Sequence, residues 1–438
     1  MRNGDLLLNA PEGTLFAGKA RLLSRRHIGK ICFCGARFRE DQIQIMFNDQ
    51  LSNYQALVSL PLGSVVEVSG HKITTRTGMP TLQATSALPV FIYTGNMPDK
   101  FHGLGSTMRY RNRAEYIMTD EDVFLFVKKM SATLRVMRHV LQEHGFREFS
   151  TGILQERFEA GQANSFSTHC RANGKTLHLN LTNELKLKRL IVGGMERVFE
   201  IGQSFRNEGI DPIHSPEFTM LEAYAAEANC HEMENLLEEL VCEVIRVCEG
   251  AEVTTKYTCT DGTHNVSYQI PFTRLPFQRA FERWVGEWKS CDREALTALY
   301  PGSFHNQMTR FTWLMKVIER FIVPNIVTPT FLTELPLEMS PFVRSHSDGL
   351  TSERSFFVSQ GCFLADIYTD ENDHKKVANA LAKQAAETGN MFNEDYLRVL
   401  KLGMPPTAGI GLGVNRLLML LLGDLPRNIK ETILFPIL

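Results

Sequence analysis

Residues 205–224 read FRNEGIDPIHSPEFTMLEAY. The stretch crowds Arg206, His214, several aromatic residues and three glutamates into one apolar context that includes Phe218, Met220 and Leu221. A carboxylate in such surroundings is costly unless it meets a cation or hydrogen-bond donors. The segment therefore carries an internal Arg–Glu network or faces a polar, partly cationic ligand. Arg206 follows the apolar run VFEIGQSF, and an arginine at a strand end presents a planar fork suited to phosphate or carboxylate. If 217–224 is a strand, Phe218, Met220, Glu222 and Tyr224 share one face. An aromatic ring, a carboxylate and a phenol on one wall suit a base together with an amine.

A second constellation lies at PPTAGIGLGVNRLLMLLLGD. Gly409, Gly411 and Gly413 alternate along a predicted strand, which lets a ligand lie flat on the backbone. A helix is expected from near Asn415, with Arg416 at its start, where the dipole already favours anions. The run contains neither a G-x-G-x-x-G fingerprint nor a P-loop.

The rest of the chain sets the frame. Its 438 residues, 43% hydrophobic and 22% charged, describe a globular protein of two or three domains. A net charge of −2 gives no global attraction to nucleic acid. The nine cysteines are scattered, and the lone Cys32-x-Cys34 pair is a poor metal signature, so reduced thiols are expected. The N-terminus MRNGDLLLNAPEG lacks an apolar core, and LLMLLLG is far shorter than a membrane helix, so a cytoplasmic protein with no membrane segment is expected. Residues 14–98 hold short β-branched and aromatic runs between turn signals, the pattern of a small barrel. Arg21, Arg25, Arg26, Lys30, Arg37 and Arg39, interleaved with Phe33 and Phe38, make a single-stranded nucleic-acid surface one reading and a solvated face the other. From Asp120 to His144, apolar residues at helical spacing predict a long core or interface helix, and further helices are expected over 229–249, 374–388 and 411–423. Strands and helices mix without a regular βαβ rhythm, which favours an α+β fold with an antiparallel sheet.

FRNE…H-x-PEFT and G-x-GLG-x-x-R resemble motifs 2 and 3 of class II aminoacyl-tRNA synthetases. KFHGL…RYRNR, NELKLKRLIVGGMERVFEIGQSFRNEG, PTFLTELPLEMSP, FNEDYLRVLKLGMPPTAGIGLGVNRL and ILFP resemble, in the same order, segments of the lysyl-tRNA synthetase family. The resemblance covers nearly the whole chain from about residue 14. It implies an N-terminal OB-fold β-barrel over 1–98 that reads an anticodon, a linker over 99–119, and a class II catalytic domain on an antiparallel sheet over 120–438. It also implies a homodimer. Arg206 is then expected on the ATP α-phosphate and the amino-acid carboxylate, with Glu208 on the adenine amino group. Phe218 and Arg416 would sandwich the adenine, and His214 would meet the terminal phosphates. Glu184 is expected on the substrate α-amino group, and Glu222, Tyr224 and Asp370 around a lysine ε-ammonium. Phe33, Arg37 and Gln44 are the implied RNA contacts, and ATP and Mg²⁺ the implied cofactors.

The departures from the family pattern fall in the site. Ile213 stands where the family has an arginine, and Gly152 where motif 1 has a proline. Ser355 and Phe363 occupy the positions of the two metal-binding glutamates, with Glu353 and Asp366 nearby. Asp366 replaces an asparagine that would face the substrate carboxylate, a like-charge arrangement, and Asp370 is one methylene shorter than the family glutamate. Three functions are open to such a chain: a lysine–tRNA ligase, a paralogue that activates lysine or a relative for another acceptor, and a non-catalytic amino-acid or RNA-binding regulator.

Overall fold

The computed structural model describes residues 10–95, 97, 105, 107–156, 164–259, 262–287, 294, 309–339, 342–388 and 394–438. The KFHGL segment at the start of the expected linker lies outside the described residues. Two compact units divide the chain, Met1–Glu121 and Asp122–Leu438.

The first unit is a closed barrel of OB type. Its strands are β1 (Leu15–Ile28), β2 (Ile31–Phe38), β3 (Asp41–Asn48), β4 (Val65–Thr74) and β5 (Pro80–Phe91), in the order β1-β2-β3-β5-β4. Closure needs a long, bent first strand, and β1 supplies it with a bulge between Leu22 and Ser24, so that it pairs with both β2 and β4. Alternation sends Ala20, Leu22, Ile45, Phe47, Val66, Val68 and Leu82 inward. Cys32 and Cys34 lie in that same core, their sulfurs 3.7 Å apart and unbridged, as expected of buried reduced thiols. Burial pushes the Cys34 thiol up to about 12.

The long Glu121–Glu143 helix begins on the last residue of the first unit and otherwise belongs to the second, where its buried Val123, Phe126, Val136, Met137, Val140 and Leu141 follow the predicted stripe. In chain order its strands are β6 (Arg147–Glu148), β7 (Leu154–Gln155), β8 (Ser167–Cys170), β9 (Lys175–Leu179), β10 (Arg197–Phe205), β11 (Glu217–Ala226), β12 (Thr254–Cys259), β13 (Gly262–Ser267), β14 (Thr273–Pro276), β15 (Thr330–Thr333), β16 (Arg354–Ser359), β17 (Cys362–Thr369) and β18 (Thr407–Gly413). The main sheet has the order β14-β15-β16-β17-β18-β11-β10-β6. Its six central strands, β15 to β10 in that order, are antiparallel as expected; only the outermost pairs, β14–β15 and β10–β6, run parallel. Strands β7, β9 and β8 form a small separate sheet, and β12–β13 a hairpin.

One face of the main sheet is sealed by the Cys230–Glu249 helix. That helix starts at a reciprocal cap: Asn229 Oδ1 accepts from the Glu232 backbone N–H at 3.1 Å, and Glu232 Oε2 accepts from the Asn229 N–H at 2.9 Å. Leu237, Val241 and Val244 pack on Leu221, Ala223, Ile367, Ile410 and Leu412. Because strand side chains alternate, burying Leu221 and Ala223 on one face turns Phe218, Met220, Glu222 and Tyr224 to the other. The same alternation places Gly409, Gly411 and Gly413 on the open face, between Ala408, Ile410 and Leu412 in the core. The apolar run after Gly413 forms the short Val414–Met419 helix and continues as buried Leu420–Leu422. Among the described residues no helix is long and apolar enough to cross a membrane.

Candidate active site

The open face of the sheet is organised in rows. Glu200, Glu222, Gly411 and Asp366 lie side by side across β10, β11, β18 and β17. The next row holds Val198, Tyr224, Gly409, Tyr368 and Arg354. The glycines keep the middle of each row low, and the requirement is strict at Gly409, where an added methyl group would stand 2.2 Å from the Tyr224 ring.

Arg206 sits immediately after β10, its guanidinium 5.2 Å from the centroid of the Phe218 ring. Its Nε is buried and has no hydrogen-bond partner. Burial lowers the Arg206 pKa, opposed by Glu208, while the nearby positive charge of Arg416 lowers it further. Arg416 leaves the start of the Val414–Met419 helix, donates from Nη1 to the Phe363 carbonyl at 3.1 Å and stands 6.0 Å from the Phe363 ring centroid. The two arginines thus meet in one electrostatic neighbourhood with Phe218 and Phe363. His214 is held by Asp211, Nδ1 to Oδ2 at 2.7 Å, in a turn that Asp211 also caps through the backbone N–H groups of Ile213 and His214. Glu208 and Ile213 are exposed at this end. Burial raises the pKa of Glu319, in the short π-helical turn Ile318–Ile322, against the pull of Arg416 and His214.

The other end is a carboxylate and phenol cage. Glu222 is buried, accepting from Thr182 Oγ1 and from the Tyr224 hydroxyl, each at 2.7 Å. Burial, reinforced by the negative charge of Glu184, pushes the Glu222 carboxyl up to about 7. Sequence reasoning missed the residue at the cage's centre. Lys188, fully buried on the Glu184–Val192 helix, donates to Asp370 Oδ1 at 2.5 Å, to Glu184 Oε1 at 2.6 Å and to the Tyr368 hydroxyl at 3.2 Å. Its ammonium also stands 4.8 Å from the Tyr368 ring centroid and 5.1 Å from that of Tyr224. The Glu184–Lys188 spacing resembles an ordinary surface pair one helical turn apart, and nothing local announces a partner 182 residues later. The second oxygen of Asp370, Oδ2, is buried without a partner. Arg354, also missed, pairs with Asp366 through two hydrogen bonds, Nε–Oδ1 at 2.8 Å and Nη2–Oδ2 at 2.6 Å.

The two substituted metal positions part company. Phe363 faces the site beneath Arg416 and packs edge-on against Phe356, with centroids 4.8 Å apart. Ser355 points to the sealed face, where its hydroxyl donates to Glu234 and lies 3.2 Å from the Cys230 sulfur. Among the described residues no group of three His, Cys, Asp or Glu side chains converges as a metal site, and Asp366 is committed to Arg354. The site's side chains therefore fit an anionic nucleotide, through the orphaned Arg206 Nε and the Phe218 ring, but supply no protein cage for Mg²⁺.

In the barrel, Phe33 and Gln44 are half-buried on its outer wall, and Gln44 Oε1 accepts from Thr81 Oγ1 at 2.7 Å. Arg37 is not a free surface cation. It is buried, donates to Glu121 Oε2 at 2.6 Å and reaches the Ile117 and Met118 carbonyls.

Comparison with known proteins agrees with these features. The model of the class II tRNA synthetases (D, K and N) matches residues 105–438. Lysine–tRNA ligase of Dehalococcoides mccartyi is 33% identical over 435 residues, covering 95% of this chain and 86% of that protein. Those of Deinococcus radiodurans (32% identical, 98% of this chain, 82% of that protein) and Methanoculleus marisnigri (33%, 94% and 83%) align over similar spans. The chain belongs to the class II tRNA synthetases and, within them, to the lysyl-tRNA synthetase family, as an aminoacyl-tRNA ligase-like enzyme.

Proposed function

We propose that this protein activates lysine or a lysine-like diamino acid with ATP, forming an aminoacyl-adenylate and pyrophosphate, and passes the acyl group to tRNA or another acceptor. One observation carries the reading. Among the buried polar atoms without hydrogen-bond partners, two lie along the candidate site, Arg206 Nε at one end of the open face and Asp370 Oδ2 at the other. A buried donor or acceptor left unmade costs about 1–3 kcal/mol, so each calls for a ligand or a water. An anionic group at Arg206 and an ammonium at Asp370 are the opposite ends of an activated diamino acid.

In this reading the substrate carboxylate oxygen bonds to the α-phosphorus as the bond from that phosphorus to the pyrophosphate oxygen breaks. Arg206 neutralises charge on the α-phosphate and the attacking carboxylate, and its fork fixes their approach. Phe218 and Arg416 hold the adenine, Glu208 its amino group, and His214 the outgoing phosphates. Glu184 takes the α-amino group, and Glu222, Tyr224 and Asp370 the side-chain ammonium. Catalysis is positioning and charge neutralisation, with little acid–base work. Mg²⁺, which the family relation implies, would be held mainly by the phosphates and not by Ser355 or Phe363.

Lysine-dependent pyrophosphate exchange tests the reading, run in Mg²⁺ with lysine, ornithine and other diamino acids. Exchange with none of them removes the activating role. A second reading, activation for an acceptor other than tRNA, is favoured by Arg37, whose charge is spent on Glu121. Aminoacylation of bulk tRNA separates the two: exchange without charging selects the second. Sedimentation of the purified chain tests the expected homodimer.

A further inference from the structure

The cage around Lys188 has the features that recognise a primary ammonium: two carboxylates, a phenol oxygen and aromatic faces. A ligand amine brought to Asp370 would find one oxygen already taken by the protein's own lysine and the other open. Phe342 adds a third ring, 5.7 Å from Lys188 Nζ. Lys188 has no exposed surface, so it cannot swing out into water to make room. Its ammonium lies beside Tyr224 and Tyr368, while Arg206 lies beside Phe218, at the other end of β11.

From this geometry we infer that Lys188 is the specificity-determining residue of the amine pocket. Its ammonium fills half of a cage that would otherwise accept a longer chain, and so sets an upper limit on the substrate's side chain. The inference rests on the proposed amino-acid site and names its substrate class: diamino acids with one primary side-chain ammonium, no longer than lysine's. The α-amino end is constrained in the same way, because Glu184 offers the substrate only the oxygen that Lys188 and Tyr368 leave free.

The test compares binding of lysine with that of homolysine, one methylene longer, to the full-length protein by calorimetry in the presence of a non-hydrolysable ATP analogue. The wild-type protein should favour lysine by about tenfold or more, the scale on which a pocket discriminates one methylene. Lys188→Met vacates Asp370 Oδ1 and Glu184 Oε1, and should shrink that ratio by about tenfold through a gain for homolysine. An unchanged ratio in a folded variant overturns the inference. Should Lys188→Met fail to fold, Lys188→Arg carries the test. It keeps the charge but reaches further, so it should weaken lysine and spare ornithine; a lysine-to-ornithine affinity ratio unchanged from wild type overturns the inference. If wild-type protein binds no diamino acid at all, the site reading itself falls, a result distinct from binding without length discrimination.

Discussion

Arg354 and Asp366 face each other across β16 and β17 as a two-bond pair, with the guanidinium of Arg354 also 4.9 Å from the Phe356 ring centroid. An aspartate at this place would repel a substrate carboxylate if it stood alone. Paired with a buried guanidinium it is neutralised, and the site keeps its charge balance with a different pair of side chains. The pair is also structural. Asp366→Asn strands Arg354 inside the protein, and breaking a buried pair from one side costs about 3–5 kcal/mol. Because Asp366 retains 27% of its side-chain exposure, the loss should fall near about 3 kcal/mol, read as a shift in the denaturation midpoint with unchanged slope. A midpoint equal to wild type would show that the pair holds nothing together.

Gly409 and Gly411 differ by one row and should respond differently to the same methyl group. In Gly409→Ala the new Cβ meets the Tyr224 ring at 2.2 Å and the Ala223 carbonyl oxygen at 3.2 Å. Both Tyr224 and its partner Glu222 are buried, so the ring has nowhere cheap to go. Overpacking of this kind costs about 1–3 kcal/mol, and diamino-acid affinity should fall with stability. In Gly411→Ala the nearest atom is Glu222 Oε2 at 3.4 Å, an ordinary contact. Stability should be kept while ligand binding over the strand is lost. Thermal melts alongside titration calorimetry separate the two patterns, and an equal drop in stability for both variants would contradict the row geometry.

The Glu222 carboxyl is pushed up to about 7 by burial and by Glu184. A carboxyl whose folded pKa exceeds its unfolded value near 4.3 binds its proton more tightly when folded. Stability contributed by this group is therefore greatest below the unfolded value and declines as pH rises toward about 7. A bound ammonium works in the opposite direction, because it favours the ionised form. Affinity for a diamino acid should fall as pH drops through about 7, approaching about tenfold per unit, with proton release on binding. In Glu222→Gln that pH dependence should vanish together with part of the affinity, about 1.5–3 kcal/mol for a lost charged hydrogen bond. A pH profile unchanged by the substitution would assign the titration to another group.

How much of this was readable follows from which interactions are local. The barrel runs, the Glu121–Glu143 stripe and the one-sided face Phe218–Met220–Glu222–Tyr224 are periodic patterns, and the structure repeats them. The helix expected over 411–423 starts only at Val414 and ends at Met419, because Gly411 and Gly413 still belong to the strand and the buried Leu420–Leu422 leave the helix in tight turns. Lys188 was invisible as a site residue: its key partner is brought next to it by β17, far along the chain. The turn of Ser355 away from the site, to the sealed face, was hidden for a different reason. Alignment by position does not say which face a strand residue takes, and Ser355 alternates with Arg354 and Phe356 before the bulge between Phe357 and Val358.

The barrel offers a contrast between two residues that look equivalent in sequence. Arg37 and Phe33 belong to the same strand, and both are expected RNA contacts. Arg37 is 8% exposed and tied to Glu121, so its charge is not offered to phosphate. Arg37→Met should cost about 2–3 kcal/mol of stability, below the ~3–5 kcal/mol of a fully buried pair because Glu121 keeps access to water. It should leave tRNA affinity and its salt dependence unchanged, since no phosphate contact is lost. Phe33 is half-buried on the outer wall. Phe33→Ala should leave the melting curve close to wild type and weaken tRNA binding by about 1–3 kcal/mol, the worth of one stacked base. Filter binding across a salt series, paired with melting curves, checks both residues. A steeper loss of RNA binding for Arg37→Met than for Phe33→Ala would reverse the assignment and make Arg37 the contact after all.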